Sequence, residues 1–292
     1  MLQGCITALV TPMFADGSID YESLDNLVEW QVQSGVSGLI ANGSTGEAAN
    51  LSTKETIELI ERIIAKAAGR VKIIVGAGTA STATTVTFIE RVNNLVGVDY
   101  LMCLTPYYMR PTQEGLYQHF AAAAKASKFP VILYNVPGRT GCNLQDSTTI
   151  RLAQDFPNIV GLKDATGDLP RCANVMALKR DDFMLFSGDD GTALAFMLLG
   201  GNGVISVVSN SRPVQMVELC KLALAGDRTS AYALNQKLVP FYDSFFWEAN
   251  PIPVKWALFH EGRMKTPELR LPLTVLDKKF QEPMINILNS LQ

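Results

Sequence analysis

Eight short apolar runs recur along the chain at fairly even spacing, each closing on or beside a turn-forming residue. They are 5–11 (CITALVT), 37–42 (SGLIAN), 72–76 (KIIVG), 100–105 (YLMCLT), 131–135 (VILYN), 159–164 (IVGLKD), 182–187 (DFMLFS) and 203–208 (GVISVV). None alternates apolar with polar. Near-continuous apolarity over so few residues predicts parallel strands covered on both faces.

Between the runs the period changes to that of a helix. Residues 21–33 put Leu24, Leu27, Val28 and Gln31 on one face, and 54–67 group Ile57, Ile60, Ile63 and Ile64. The second segment opens on Ser52-Thr53-Lys54-Glu55, a capping box in which the Ser52 hydroxyl meets the amide three residues on and Glu55 reaches back. Residues 115–126 and 191–199 also read as helices. Strands alternating with helices predict a closed (β/α)₈ TIM barrel. A doubly wound open sheet is the other arrangement this alternation allows, but it would usually carry GxGxxG after its first strand, and none is there. Beyond the eighth run the chain shows helical patterns and no further strong strand. We therefore expect a barrel over 1–212 and a C-terminal helical extension over 213–292, interrupted by the proline-rich stretches 250–253 and 267–272.

Composition narrows the class. Apolar residues at 48% fill a large core and exclude general disorder. Charged residues at 18% suit segments buried on both sides. A net charge of −3 without a basic run makes nucleic acid a poor partner. No run is long enough for a membrane span, and the start, MLQGCITALVTP, has neither a charged n-region nor a cleavage pattern, so a secretory signal is not expected and a cytoplasmic setting is. The five cysteines are widely spaced without a CxxC, as in a reducing compartment. Two histidines are too few for a histidine-rich metal site or a histidine-based triad.

Active sites of this fold gather at the C-terminal ends of the strands, so reactive groups there carry the functional reading. The sixth run ends in Lys163. Period 2 puts Ile159, Gly161 and Lys163 on one face and Val160 and Leu162 on the other, which aims Lys163 into the barrel mouth. Desolvation there favours the neutral amine, a nucleophile toward carbonyls; the structural alternative is a lysine paired with a carboxylate. Tyr134, ending the fifth run, falls at the same level and can shuttle protons, or merely pack. Arg139 on the following loop offers a planar fork for a carboxylate, or a loop salt bridge. Gly43-Ser44-Thr45-Gly46-Glu47 can turn amides toward an anion and its hydroxyls can extend a proton relay, although such a turn is also ordinary. Tyr107 and Tyr108 on a proline-bracketed loop suggest an interface or a site wall. Gly188-Asp189-Asp190-Gly191 reads as a plain turn: the acidic pair repels phosphate, and no third carboxylate nearby completes a metal site.

Taken together these segments resemble the dihydrodipicolinate synthase family, within the N-acetylneuraminate lyase superfamily. The marks are ALVTPM at 8–13, GSTGE at 43–47, TPYYMRPTQEGLYQHF at 105–120, YNVPGRTG at 134–141, GLKDATG at 161–167, FSGDD at 186–190, GGNGVISV at 200–207 and NPIPVKWA at 250–257. They span essentially the whole chain. The resemblance implies a (β/α)₈ barrel with a helical extension, assembled as a homotetramer (a dimer of dimers) or a homodimer. It implies condensation of pyruvate with L-aspartate 4-semialdehyde, on the diaminopimelate route to lysine, with no metal or organic cofactor. By the same resemblance Lys163 forms the Schiff base, and Tyr134 passes protons, coupled to Thr45. Tyr108 completes the relay from a neighbouring subunit. The amides of Ser44 and Thr45 hold the pyruvate carboxylate, Arg139 binds that of the semialdehyde, and Gly188 and Ile205 line the site through their backbones. Ser44 stands where relatives often have Thr.

Lysine-inhibited relatives bind their effector at a dimer interface. There this chain has Ala48 in place of Ser, Thr53 and Thr56 in place of His, Ala80 in place of Asn and Thr84 in place of Glu, with only Ala49 and Tyr107 alike. The resemblance therefore implies an enzyme nearly insensitive to lysine, unless Glu90 or another carboxylate substitutes. Two other functions stay open. One is a related pyruvate-dependent lyase acting on N-acetylneuraminate or a 2-keto-3-deoxy sugar acid, for which Arg139 is less expected. The other is a non-catalytic barrel, against which Lys163, Tyr134, Tyr108 and Thr45 together speak.

Overall fold

The computed structural model describes residues 1–291. Strands β1 (Gly4–Ala8), β2 (Gly38–Ala41), β3 (Lys72–Ala77), β4 (Tyr100–Leu104), β5 (Val131–Asn135), β6 (Ile159–Asp164), β7 (Met184–Ser187) and β8 (Gly203–Ser206) are all parallel and pair in chain order, β8 closing on β1. Each expected run overlaps a strand. The runs overshoot where another partner takes the backbone amides. Past β8 the amides of Val207 and Val208 donate to Asp190 Oδ2 at 2.9 and 3.0 Å, and past β1 that of Val10 donates to Asn210 Oδ1 at 3.1 Å.

Around the barrel lie α1 (Tyr21–Gln33), α2 (Thr53–Ala67), α3 (Thr82–Val92), α4 (Gln113–Ala126), the short α5 (Pro137–Thr140), α6 (Asp146–Asp155), α7 (Leu169–Leu178), α8 (Ala193–Leu198) and α9 (Pro213–Leu224). Helices α3, α6 and α7 were not legible from apolar period. The inward faces of α3 and α6 are partly threonine: Thr85 in α3, Thr148 and Thr149 in α6. These hydroxyls survive burial by bonding back along the chain, Thr85 Oγ1 to Ser81 O at 2.9 Å and Thr149 Oγ1 to Gln145 O at 3.0 Å. The capping box of α2 forms as expected, but its buried face is Thr56, Leu59, Ile60, Ile63 and Ala67, leaving Ile57 and Ile64 half-buried.

Two apolar layers result. Ile6, Ile40, Ile74, Met102, Ile132, Met184, Phe186 and Ile205 fill the barrel interior, while a larger cluster lies between strands and helices. Helix α9 rests on β1 and β8 beside α8, and α10 (Arg228–Ser244), α11 (Ile252–His260) and α12 (Lys278–Asn289) follow it.

One strand departs from strict alternation. Val131 pairs with Ile159 but Ile132 with Gly161, a bulge that gives β6 one extra residue. It corrects the face assignment made from period 2. Ile159 joins Leu162 in the outer layer, and Val160 packs against the interior cluster. Beyond the bulge Lys163 keeps its place opposite Tyr134.

Candidate active site

A cavity of about 130 Å³ opens at the C-terminal ends of the strands, with Ser44, Thr45, Tyr134, Arg139, Lys163 and Gly188 in its wall. The barrel thus gathers six residues from four separate βα junctions. Lys163 is 6% exposed. Its Nζ lies 4.2 Å from the centre of the Tyr134 ring, and it forms no ion pair among the described residues.

The paired lysine that position alone made plausible does exist, elsewhere. Lys255 of α11 donates to Glu47 Oε1 at 2.6 Å, both side chains 0% exposed. Burial holds the Lys255 ammonium below its usual pKa, with Glu47 pulling the other way. Glu47 also accepts from the amide of Arg270 at 3.1 Å and from Asn50 Nδ2 at 3.4 Å. Its backbone is left-handed, φ 57°. These ties brace the end of the turn that presents Ser44 and Thr45 from below.

Within that turn the amides of Gly46 and Glu47 donate to the carbonyls of Gly43 and Ser44 at 3.0 and 3.1 Å. Those of Ser44 and Thr45 have no such acceptor and can serve an anion. Gly46 is favoured by space: a Cβ there would sit 3.0 Å from the carbonyl oxygen of Leu9, tighter than most side chains come. Gly188 is held more strictly. A Cβ on it would stand 2.9 Å from Lys163 Cε and 2.8 Å from Ala165 Cβ, so its bare backbone lets the lysine stem pass.

Two of the expected residues lie outside this cavity. Ile205 is buried in the barrel interior, and Val207 takes the wall position. Tyr108 is 87% exposed, in a left-handed backbone (φ 73°) pinned by its amide to Thr140 O at 3.0 Å. The two aspartates of the seventh turn serve structure. Asp189 Oδ2 accepts from the Thr192 amide at 2.9 Å and hydroxyl at 2.6 Å, while buried Asp190, its carboxyl pushed up by desolvation, holds the end of β8.

The C-terminal extension supplies residues that sequence reasoning missed. Phe246 and Asn250 line the cavity. Asn250 Nδ2 donates to Thr45 Oγ1 at 3.0 Å, and its carbonyl accepts from Arg139 Nη2 at 2.9 Å. The only signal was the segment NPIPVKWA, in which the asparagine read as a helix breaker.

A second cavity, of about 440 Å³, shares Ser44, Val136, Arg139 and Asn250 with the first. Ala48, Ala49, Thr53, Thr56, Thr84 and Tyr107 also face it. Its one carboxylate is Glu47, already engaged by Lys255. Among the described residues no cluster of side chains suits a metal ion, and no helix is long and apolar enough to cross a membrane.

Comparison with known proteins gives one answer. Residues 1–291 match the Dihydrodipicolinate synthetase family. The chain is 50% identical over 281 residues to 4-hydroxy-tetrahydrodipicolinate synthase of Laribacter hongkongensis, covering 96% of each. It superposes with TM-score 0.96 and 46% identity on the chloride-inhibited dihydrodipicolinate synthase of Acinetobacter baumannii complexed with pyruvate, over 99% of both chains. The enzyme of Cyanidioschyzon merolae with lysine bound matches with TM-score 0.94 and 34% identity, over 99% of this chain and 98% of that one.

Proposed function

The chain belongs to the dihydrodipicolinate synthetase family, and from that premise we propose that it condenses pyruvate with L-aspartate 4-semialdehyde through a Schiff base on Lys163. It is a lyase with 4-hydroxy-tetrahydrodipicolinate synthase activity, serving diaminopimelate and lysine biosynthesis. The observation that carries the covalent route is the buried Lys163, free of any carboxylate and set against Tyr134 in the cavity.

The amine adds to pyruvate C2, and loss of water leaves an iminium. That cation draws electrons from the methyl C–H bond; the proton leaves, and an enamine forms. The enamine carbon attacks the aldehyde carbon, whose oxygen takes up a proton. The substrate's own amine then adds to C2, closes the ring and expels Lys163. Tyr134, in register with Lys163, is placed to carry protons in both directions. The free amides of Ser44 and Thr45 receive the pyruvate carboxylate. Thr45, whose Oγ1 accepts from Asn250 and keeps its O–H to give, couples to Tyr134, and the Ser44 hydroxyl, which faces both cavities, can extend the relay toward a Tyr108 arriving from a second subunit. Arg139 keeps its remaining N–H groups for the semialdehyde carboxylate. Gly188 gives the lysine room, and Ile205 supports the floor beneath it. None of these steps calls on a cofactor.

The proposal includes a barrel over 1–212 with its extension over 213–292, a homodimer or homotetramer, a cytoplasmic setting and near-insensitivity to lysine. The last is supported by the second cavity. An incoming ammonium there meets threonine and alanine, with no free carboxylate. Losing one partner of a buried charge pair costs about 2–5 kcal/mol. Steady-state titration with L-lysine should show no half-inhibition below the millimolar range.

The experiment that tests the covalent step is trapping. Incubation with pyruvate and borohydride, followed by peptide mass mapping, is expected to place one adduct on Lys163. Lys163→Arg should abolish it and lower turnover by several orders of magnitude, since guanidinium stays protonated. An adduct on any other lysine overturns the assignment.

A further inference from the structure

Asn250 is 95% buried by its 5% exposure, yet its Oδ1 has no hydrogen-bond partner. Its other polar atoms are used, Nδ2 on Thr45 and the backbone carbonyl on Arg139. A buried amide oxygen left open is costly unless something fills it. This one belongs to a residue in the wall of both cavities, beside the arginine that faces the second substrate's carboxylate. A donor carried by a ligand in the cavity would complete it. Pyruvate has no N–H or O–H group to give. The amino aldehyde has one, an α-ammonium on the carbon that bears the carboxylate.

We propose that Asn250 Oδ1 accepts a hydrogen bond from the α-ammonium of the aldehyde substrate, and so selects amino aldehydes over otherwise identical aldehydes without nitrogen. This rests on the condensation proposed above. Arg139 and Asn250 then form a two-point grip: the guanidinium takes the carboxylate, the amide oxygen the ammonium. The Asn250 backbone carbonyl fixes the first point relative to the second. Asp189, also in the wall, is the competing acceptor, but one of its oxygens is engaged by the amide and hydroxyl of Thr192.

The test compares two aldehydes in the intact enzyme: L-aspartate 4-semialdehyde, and succinate semialdehyde, which lacks the ammonium. The readout is the ratio of their apparent affinities. Asn250→Ala, which leaves the backbone grip on Arg139, should lower that ratio about 10- to 100-fold by removing a charge-assisted bond. Asn250→Asp keeps an acceptor at the same place and should hold the ratio at or above that of the parent. Adduct formation with pyruvate and borohydride should persist in both. An unchanged ratio in Asn250→Ala overturns the proposal. So does a ratio that collapses in Asp189→Asn and not in Asn250→Ala, or a change in pyruvate KM alone, which would make Asn250 only a support for Thr45. Absence of a pyruvate adduct in the parent enzyme would instead remove the underlying reaction.

Discussion

Lys255 and Glu47 lose all contact with solvent, so each depends on the other for its charge. Removing one member of such a pair leaves an uncompensated ion, which costs about 3–5 kcal/mol; replacing both by neutral groups costs far less. Lys255→Met should lower the unfolding free energy by that order, as read from urea melts, and adding Glu47→Gln should restore most of it. Pyruvate KM should rise in the single variant, because Glu47 anchors the turn that carries Ser44 and Thr45. His119 is a different kind of buried titrating group. At 3% exposure its imidazole is pulled by burial from 6.5 to about 4, the Leu104 backbone opposing. The folded state thus refuses a proton that the unfolded state accepts. Stability is fully present above pH 6.5 and declines as pH falls toward 4, by up to about 3 kcal/mol from this group. Replacing His119 with Gln should flatten that limb of a stability–pH curve, as read by urea melts at several pH values.

Helix α2 shows how one element is fixed at its start and tied to a distant segment. Ser52 Oγ accepts from the Glu55 amide at 3.3 Å, and Glu55 Oε2 accepts from the Ser52 amide at 2.8 Å. Glu55 also holds Arg270 of the segment after α11, which with the cap keeps its carboxyl down at about 2. Arg270 reaches on to the Gly17 carbonyl at 2.7 Å. The two members of the box are therefore unequal. Ser52→Ala removes the cap alone and should cost about 1 kcal/mol. Glu55→Gln weakens both the cap and the link to 261–277, and should cost more. Since the depressed carboxyl stabilises only while ionised, the Glu55 contribution is present above about pH 4.5 and fades toward pH 2. Comparing the two variants at pH 7 and pH 3 should show their difference shrinking in acid.

At the scale of the molecule, the exposed loop holding Tyr107, Tyr108 and Met109 stands beside the larger cavity that Tyr107 helps to line. Tyr108 and Arg110 adopt left-handed backbone, and residues 107–110 are all exposed. A group so placed can reach a neighbour's cavity, which requires an interface larger than about 1,200 Å². The expected result is complementation. Tyr108→Phe and Lys163→Ala homomers should each be nearly inactive, and subunit exchange between them should recover activity, because one site of each mixed dimer regains both groups. No recovery under conditions where exchange is shown by mass would mean that Tyr108 acts in its own chain or not at all.

Local pattern determined the eight strands, the closed barrel they imply and the side of β6 on which Lys163 emerges. Apolar runs and period 2 are short-range properties, and burial on both faces writes them directly into the chain. The same logic failed where polar residues are buried by partners far away. Threonine faces hid α3 and α6, and a bulge at the start of β6 exchanged the sides of Ile159 and Val160. Lys163 escaped that error because Gly161 restores the register before it. Only the tertiary structure decided which buried lysine is paired and which is free. The Glu47–Lys255 contact spans 208 residues, and that between Thr45 and Asn250 spans 205. Nothing local marks an asparagine before a proline as the amide that joins two arms of a site. That role exists only once the extension folds back over the barrel mouth and takes Asn250 out of water.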